Sequence, residues 1–437
     1  MTQADTQHEV FKSILDNDLY KFTMQQAVIQ HYKKDIPVVY QFTNREKALT
    51  LNSDSVTWLK KQVEDMSSLR LTDTERDYLS SLPYMTQEYI EFLAQFRYNP
   101  NEQVKIQYDD NTGDFNLEVT GTWHETILYE VPLLALVSEA YFRFTDRDWN
   151  YEGQVEKAAQ KTRALLEYGC VFSEFGTRRR RDFKTHDLVM DAINRTHKEY
   201  QKKCEESGVT PTGSVSGTSN VYLAMKYNVP AVGTCGKLLS FDMITMDDLH
   251  IYTKKKAHEF FMAVSALEGV EHANRETLEI WHKVYQGALG VALTDTFTTD
   301  VFLRDFDHRL ATAYTGIRQD SGDASVFIDK FVAHYKSLGI DPSTKLIVFS
   351  DSLNVERAIE LHDHATKAGI KASFGIGTSF TNDFQKISDP STKSKAMNIV
   401  IKLRECNGKR VIKLSDDAQK HSADEATVNS FKHILGI

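Results

Sequence analysis

Five short segments of this chain set polar side chains at the ends of otherwise apolar runs. Gly217-Thr218-Ser219-Asn220 and Gly375-Ile376-Gly377-Thr378-Ser379 offer backbone N–H groups and hydroxyls where helices are expected to begin. That arrangement suits phosphate oxygens. Arg318-Gln319-Asp320-Ser321-Gly322-Asp323 places a cation and two carboxylates around a flexible glycine. It could clamp a carboxylate and hold sugar hydroxyls or Mg²⁺. Phe175-Gly176-Thr177 is followed by four arginines, Arg178 to Arg181, a site for a substrate with several anionic groups. Ala257-His258-Glu259 opens an apolar helix, FFMAVSAL, with a histidine at its start. Each segment alone also reads as turn, capping or salt-bridge chemistry, and an arginine run is commonly a solvated helix face.

The elements that must position these groups change character along the chain. Apolar Leu15, Leu19, Phe22 and Val28 follow helical spacing from Ile14 to about His31. PVVYQF (37–42), VKIQY (104–108) and FNLEV (115–119) read as strands, the last two joined by DDNTGD with hairpin chemistry. An apolar helix is expected from Glu125 to Tyr141. After about residue 150, short apolar runs end in Gly, Ser, Thr or Asp: AVGT (231–234), GVALTDTF (290–297), YTGIRQD (314–320), LIVFSDS (346–352) and KASFGIG (371–377). Most precede helical segments such as Ala324–Leu338 and Asn354–Ala368, which predicts a parallel sheet with crossover helices. Polar residues at the C-terminal ends of parallel strands are what a barrel active site requires. The stretch 398–415 reads as a hairpin around Asn407-Gly408 that pairs back on the first domain.

Composition narrows the function classes. The 437 residues carry a net charge of −9, 41% hydrophobic and 26% charged residues, an ordinary globular balance. An acidic chain argues against nucleic acid as a partner, while a local arginine cluster still suits small anions. Cys170, Cys204, Cys235 and Cys406 form no Cys-x-x-Cys pair, as in a reducing compartment. The polar first ten residues and the lack of a long apolar run predict a soluble, cytoplasmic protein without membrane spans.

Asp16-Asn17-Asp18-Leu19-Tyr20-Lys21, Phe175–Arg181, Gly217–Asn220, Gly233-Thr234, Ala257–Glu259, Arg318–Asp323, Ser350-Asp351 and Phe374–Thr378 stand in the order found in the nicotinate phosphoribosyltransferases. Eight motifs in order, spanning about 14 to 415, make the chain closely resemble that family. The resemblance implies an α/β fold: an irregular α/β barrel of the type II phosphoribosyltransferase kind with an N-terminal α+β domain. The expected boundaries are 1–150 for the N-terminal domain, with 385–437 packing back on it, and 151–384 for the barrel. It further implies a homodimer with shared active sites that joins nicotinate to phosphoribosyl pyrophosphate in NAD salvage, with ATP hydrolysis coupled through a phosphohistidine.

By that resemblance, Phe175 and Tyr20, the latter from a partner subunit, would stack the pyridine ring. Arg318 would bind the nicotinate carboxylate, with Thr234 as a hydroxyl donor beside it. Arg178 would contact a substrate phosphate or the pyridine. Asp320 and Asp351 would hold ribose hydroxyls or Mg²⁺, and Gly377 and Thr378 would cradle the 5′-phosphate. His258 would be phosphorylated by ATP. The related nicotinamide enzymes carry an Asp where this chain has Ser219, so Ser219 favours the acid substrate.

One departure from the family is residues 236–256, which separate Cys235 from Ala257. Deleting those residues on paper restores Gly-Thr-Cys-Ala-His-Glu. The excursion predicts that Cys235 and Ala257 lie close together, and it makes His250 a minor rival to His258. Two other readings are a barrel lyase or isomerase acting on a sugar phosphate, and a silent nucleotide sensor.

Overall fold

The computed structural model describes residues 10–11, 13–32, 35–232, 258–417 and 423–437. Its first sheet is antiparallel, with strands in the order Lys409–Arg410, Ile399–Cys406, Pro37–Asn44, Phe115–Thr122 and Val104–Tyr108. Along Pro37–Asn44 the side chains of Val38, Tyr40 and Phe42 are buried and those between are more exposed, the period-2 pattern of a sheet with one face on a core. The hairpin expected at DDNTGD is present. Gly113 takes the left-handed φ of 73° that the turn requires, and the Asp109 carboxylate accepts from the Asn111 N–H.

The expected helix over 125–141 is broken into Trp123–Thr126, a 3₁₀ turn Ile127–Tyr129 and the helix Glu130–Phe144. From Glu130 to Phe142 every residue of that last helix is buried, so it is a core element. Pro132 falls in its first turn, where the missing N–H has no intrahelical partner to lose.

The second sheet is parallel, in the order Ser214–Thr218, Val171–Glu174, Lys371–Ile376, Leu346–Phe349, Gly316–Gln319, Val291–Leu293. Read around a circle, that order is the order in sequence, which is the topology of an α/β barrel. Ala231 extends the Thr218 edge by one parallel bridge. Among the described residues no ladder joins that edge to Val291–Leu293. Gly233, Thr234, Cys235, His250 and Ala257 lie outside the described residues, and so does the expected approach of Cys235 to Ala257. Gly316–Gln319 and Val291–Leu293 are buried along their whole length, as strands covered on both faces must be. The helices Gln154–Tyr168, Phe183–Ser207, Ala324–Ser337 and Val355–Ala368 follow the strand rhythm of the sequence.

The C-terminal stretch divides between the two cores. Asn407 and Gly408 have φ of 50° and 71°, as a two-residue type I′ hairpin turn demands. The return arm, however, pairs only at Lys409–Arg410. Val411 joins the first core, while Ile412, Leu414, Val428 and Leu435 join the barrel core. Leu414 N–H donates to Thr296 O at the barrel. The expected long hairpin over 398–415 is therefore cut short, because Ile412 and Leu414 bury against the barrel. The helix His258–Glu268 also bridges the cores, with Phe260 and Met262 in the first and Phe261 in the second. No helix among the described residues is long and apolar enough to cross a membrane.

Candidate active site

A cavity of about 460 Å³ opens at the C-terminal ends of the parallel strands and is roofed by residues of Ile399–Cys406. That size suits a small ligand with a few convergent polar groups. Tyr20, Phe175, Arg178, His258, Arg318, Asp320, Asp351, Gly377 and Thr378 all line it.

Phe175 directly follows the strand Val171–Glu174, and its N–H donates to Ile376 O at 2.8 Å. A Cβ added to Gly375 would lie 2.2 Å from the Phe175 ring, so the ring rests on bare backbone. One added to Gly377 would lie 2.7 Å from Phe175 O. The glycines of Phe374–Thr378 thus bring that loop against the aromatic.

The arginine run splits into two pairs. Arg178 and Arg179 line the cavity. Arg180 is buried and makes a bidentate pair with Asp16, 2.7 Å at each oxygen. Arg181 is buried against the Phe142 and Phe384 rings, 3.5 and 4.1 Å from their centroids, and donates to Ser394. Only half the run is therefore available to substrate, and the rest anchors the loop. Burial, with Arg178 and Arg45 adding like charge, pulls the Arg179 guanidinium down to about 10.

Tyr20 lines this cavity from its own chain. Its helix, Leu19–His31, is buried from Leu19 to Val28 in the first core. The Tyr20 hydroxyl donates to Glu130 at 3.1 Å. Beside it the buried Lys21 ammonium lies 2.5 Å from both Glu130 and Glu259. Glu259 also accepts from Trp123 Nε1 at 3.0 Å and from the Tyr40 hydroxyl, and Arg178 lies 3.3 Å from Glu130. Burial alone would raise Glu130, but Lys21 and then Arg178 hold its carboxyl below the ordinary range. This ion network fixes Tyr20 and joins the two cores.

At the strand ends, Arg318 Nε donates to Ser350 Oγ at 2.7 Å and Nη2 to Asp320 Oδ1 at 2.5 Å. Asp320 Oδ1 also accepts from Ser350 at 3.0 Å, and Oδ2 lies 3.0 Å from His258 Nε2. His258 Nδ1 meets Thr296 Oγ1 at 2.9 Å. Lys413 Nζ, delivered by the arm that leaves the hairpin, stands 2.6 Å from His258 Nε2. It is 3.0 Å from Asp295 Oδ2 and 3.7 Å from Asp320 Oδ2. Burial first, and then the Lys413 charge, pull the imidazole down to about 4. His258 is therefore neutral at pH 7 and keeps a nitrogen lone pair. Burial would raise Asp320, but Arg318, the His258 hydrogen bond and Lys413 hold it well below the carboxylate range.

His258, Asp295 and Asp320 bring ligand atoms within 4.8 Å of one another, close enough for a metal ion. The Lys413 ammonium already supplies positive charge there, and Asp320 has both oxygens engaged. A divalent ion fits these residues poorly. Asp351, on the cavity wall and bonded by Ser352 Oγ at 3.2 Å, suits a Mg²⁺ carried by a substrate's phosphates better.

Ser219 does not take the position expected of it. It is wholly buried, and its hydroxyl donates to Asp18 Oδ1 at 2.8 Å behind the cavity wall. It cannot choose between acid and amide by direct contact, because its hydroxyl is used to hold the Tyr20 segment. Lys413, Thr296 and Glu130 escaped the sequence reading. A lone Lys inside the apolar run Val411-Ile412-Lys413-Leu414 was the available signal for the first.

The description "Nicotinate phosphoribosyltransferase (NAPRTase) family" matches residues 170–240 and 250–437, and that family's N-terminal domain matches 15–138. A Schizosaccharomyces pombe protein described as a probable nicotinate phosphoribosyltransferase is 44% identical over 97% of both chains. The Saccharomyces cerevisiae nicotinate phosphoribosyltransferase is 41% identical over 98% of this chain and 95% of its own. The crystal structure of the Porphyromonas gingivalis nicotinate phosphoribosyltransferase superposes with a TM-score of 0.84 at 33% identity, covering 98% of this chain and all of that one. With both domains matched and relatives aligned almost end to end, this chain belongs to the nicotinate phosphoribosyltransferase family.

Proposed function

We propose that this enzyme makes nicotinate mononucleotide from nicotinate and phosphoribosyl pyrophosphate, releasing pyrophosphate, with ATP hydrolysis coupled through phosphorylated His258. The observation that carries this reading is the meeting of two aromatic faces, the Arg318 fork and a neutral His258 in one cavity of a chain of this family. A sugar-phosphate lyase or isomerase would need neither the second aromatic face nor such a histidine.

Nicotinate lies against Phe175 and Tyr20 with its carboxylate toward Arg318, which Ser350 and Asp320 hold in place. The pyridine nitrogen attacks the sugar carbon with its own lone pair, while the bond to pyrophosphate breaks and leaves its electrons on that group. No general base is needed, because the attacking nitrogen carries no proton to remove. Developing positive charge on the sugar is stabilised by carboxylates such as Asp351, and the leaving group by Arg178 and Arg179. Gly377 and Thr378 receive the 5′-phosphate. Mg²⁺ would offset charge on the pyrophosphate, with Asp351 as its protein contact.

For the ATP half-reaction, a neutral imidazole has the lone pair needed to attack the γ-phosphorus as the bond to ADP breaks. Lys413 is placed to balance the charge of the transferred group. Since Tyr20 and Arg318 wall the same cavity of one chain, a second copy has no need to supply the stacking face; a homodimer would then bring regulation or stability instead.

The test is to incubate the enzyme with nicotinate, phosphoribosyl pyrophosphate and Mg²⁺, with and without ATP, and follow nucleotide product. γ-Labelled ATP should leave acid-labile label on wild type and none on His258→Asn. Absence of product with every substrate present refutes the reaction. Label surviving in His258→Asn refutes the phosphohistidine assignment.

A further inference from the structure

Behind the cavity wall lies a second polar cluster that touches no substrate position. Glu174 is fully buried at the end of the strand Val171–Glu174. Its Oε1 accepts from the Gly176 N–H, and its Oε2 accepts from Thr218 Oγ1 at 2.6 Å and meets His186 Nε2 at 2.8 Å. The other ring nitrogen of His186 faces an Arg180 N–H at 3.5 Å, which assigns the histidine proton to Nε2. Arg180 is paired with Asp16, and Asp16 Oδ1 accepts from Asn220 Nδ2 at 2.7 Å. Asn220 adjoins Ser219, whose N–H donates to Glu174 O at 2.9 Å and whose carbonyl accepts from the Leu19 N–H at 2.8 Å.

These bonds close a ring through His186 and three segments: 16–20, 174–180 and 218–220. Two of the three carry the aromatic faces, Tyr20 and Phe175, each one residue from a member of the ring or its backbone contacts. A fully buried carboxylate with three donors has a fixed position, because losing one donor leaves an unsatisfied acceptor away from water.

We infer that Glu174, Thr218 and His186 are positioning residues that set the gap between Phe175 and Tyr20, and with it the binding of the flat pyridine substrate. This rests on the function proposed above. The cluster bears on the aromatic slot directly, through Glu174 beside Phe175 and the Ser219 carbonyl that holds Leu19 beside Tyr20, and reaches Gly377 and Thr378 only indirectly, through the contact of Phe175 with that loop. Its loss should separate the two substrates in kinetics, which a general loss of folding would not do.

The experiment compares Thr218→Val, which removes one donor at nearly constant volume, with Thr218→Ser, which restores it. Thr218→Val should raise the nicotinate KM about tenfold, with the phosphoribosyl pyrophosphate KM within about twofold of wild type and ATP labelling of His258 retained. Thr218→Ser should recover the nicotinate KM. Equal rises in both KM values, or an unchanged nicotinate KM in Thr218→Val, overturns the inference, as does failure of Thr218→Ser to rescue. A wild type that makes no nucleotide refutes the proposed function instead. Crystal structures of wild type and Thr218→Val decide the positioning even then: a Phe175–Tyr20 gap unchanged in the variant overturns it.

Discussion

Lys413→Met tests the electrostatics of His258, the residue proposed to accept phosphate. In the native enzyme burial is the larger cause of the lowered His258 value of about 4, and Lys413 is the second. Its ammonium stands 2.6 Å from Nε2, whereas Asp295 and Asp320, which favour the imidazolium, are 3.7 and 3.0 Å away. Removing Lys413 leaves those carboxylates to act alone, and a charge change at this range moves a neighbour by about 1–2 pH units. His258 should then titrate between roughly 5 and 6. The sign follows directly: a protonated imidazole has no lone pair, so phosphorylation fades as pH falls through the new value. The assay is the initial rate of label transfer from γ-labelled ATP between pH 4.5 and 8, in the absence of the other substrates. Wild type should hold its rate to near pH 5, while the variant should lose it between about pH 5 and 6.5. The midpoint is the quantity read, because a lost phosphate contact lowers the rate at every pH equally. Superimposable midpoints would refute the argument that Lys413 keeps His258 neutral.

Arg318→Ala should raise the nicotinate KM by the equivalent of ~2–5 kcal/mol, and a KM within twofold of wild type would place the carboxylate elsewhere. Mixing Tyr20→Ala with Arg318→Ala should recover no activity, since both residues wall one chain's cavity; restored turnover in mixed dimers would return Tyr20 to a partner. Gly375→Ala would put a methyl 2.2 Å from the Phe175 ring, so it should cost about 1–3 kcal/mol in thermal unfolding and weaken nicotinate binding. The partly buried His258 also predicts acid sensitivity. Between pH about 4 and about 6.5 the unfolded chain binds a proton that the native imidazole refuses, so stability falls as pH drops across that window, by roughly 3 kcal/mol in total. His258→Asn should unfold with a shallower pH dependence there, measured by denaturant midpoints.

What could be read from the chain was local. Strands ending in Gly, Ser or Asp announce a barrel rim because burial and function meet abruptly at those positions, as at Arg318 and Gly377. The glycine loop and the aromatic at Phe175 were visible for the same reason. Contacts set by the path of the chain were not. Four consecutive arginines look alike in sequence, yet a tight turn sends Arg178 and Arg179 to the cavity and Arg180 and Arg181 inward. Ser219 lies in a motif that resembles a ligand loop, but its hydroxyl is consumed by Asp18. That Tyr20 lines the cavity of its own chain was not legible either, because a helix's register relative to a distant barrel cannot be read from its own periodicity. Lys413 was missed because a hairpin pattern predicts pairing, and only the competing burial of Ile412 and Leu414 shows that the arm leaves it.

The first sheet's strand order has a consequence for how the protein is made. Pro37–Asn44 sits between Phe115–Thr122 and Ile399–Cys406, so one of its flanks is closed only by residues near the far end of the chain. On the ribosome, the nascent amino-terminal half must wait through synthesis of the whole barrel with an unpaired strand flank, a template for off-pathway association. The same late segment then carries Lys413 to His258, so closing the sheet and completing the candidate site become one event.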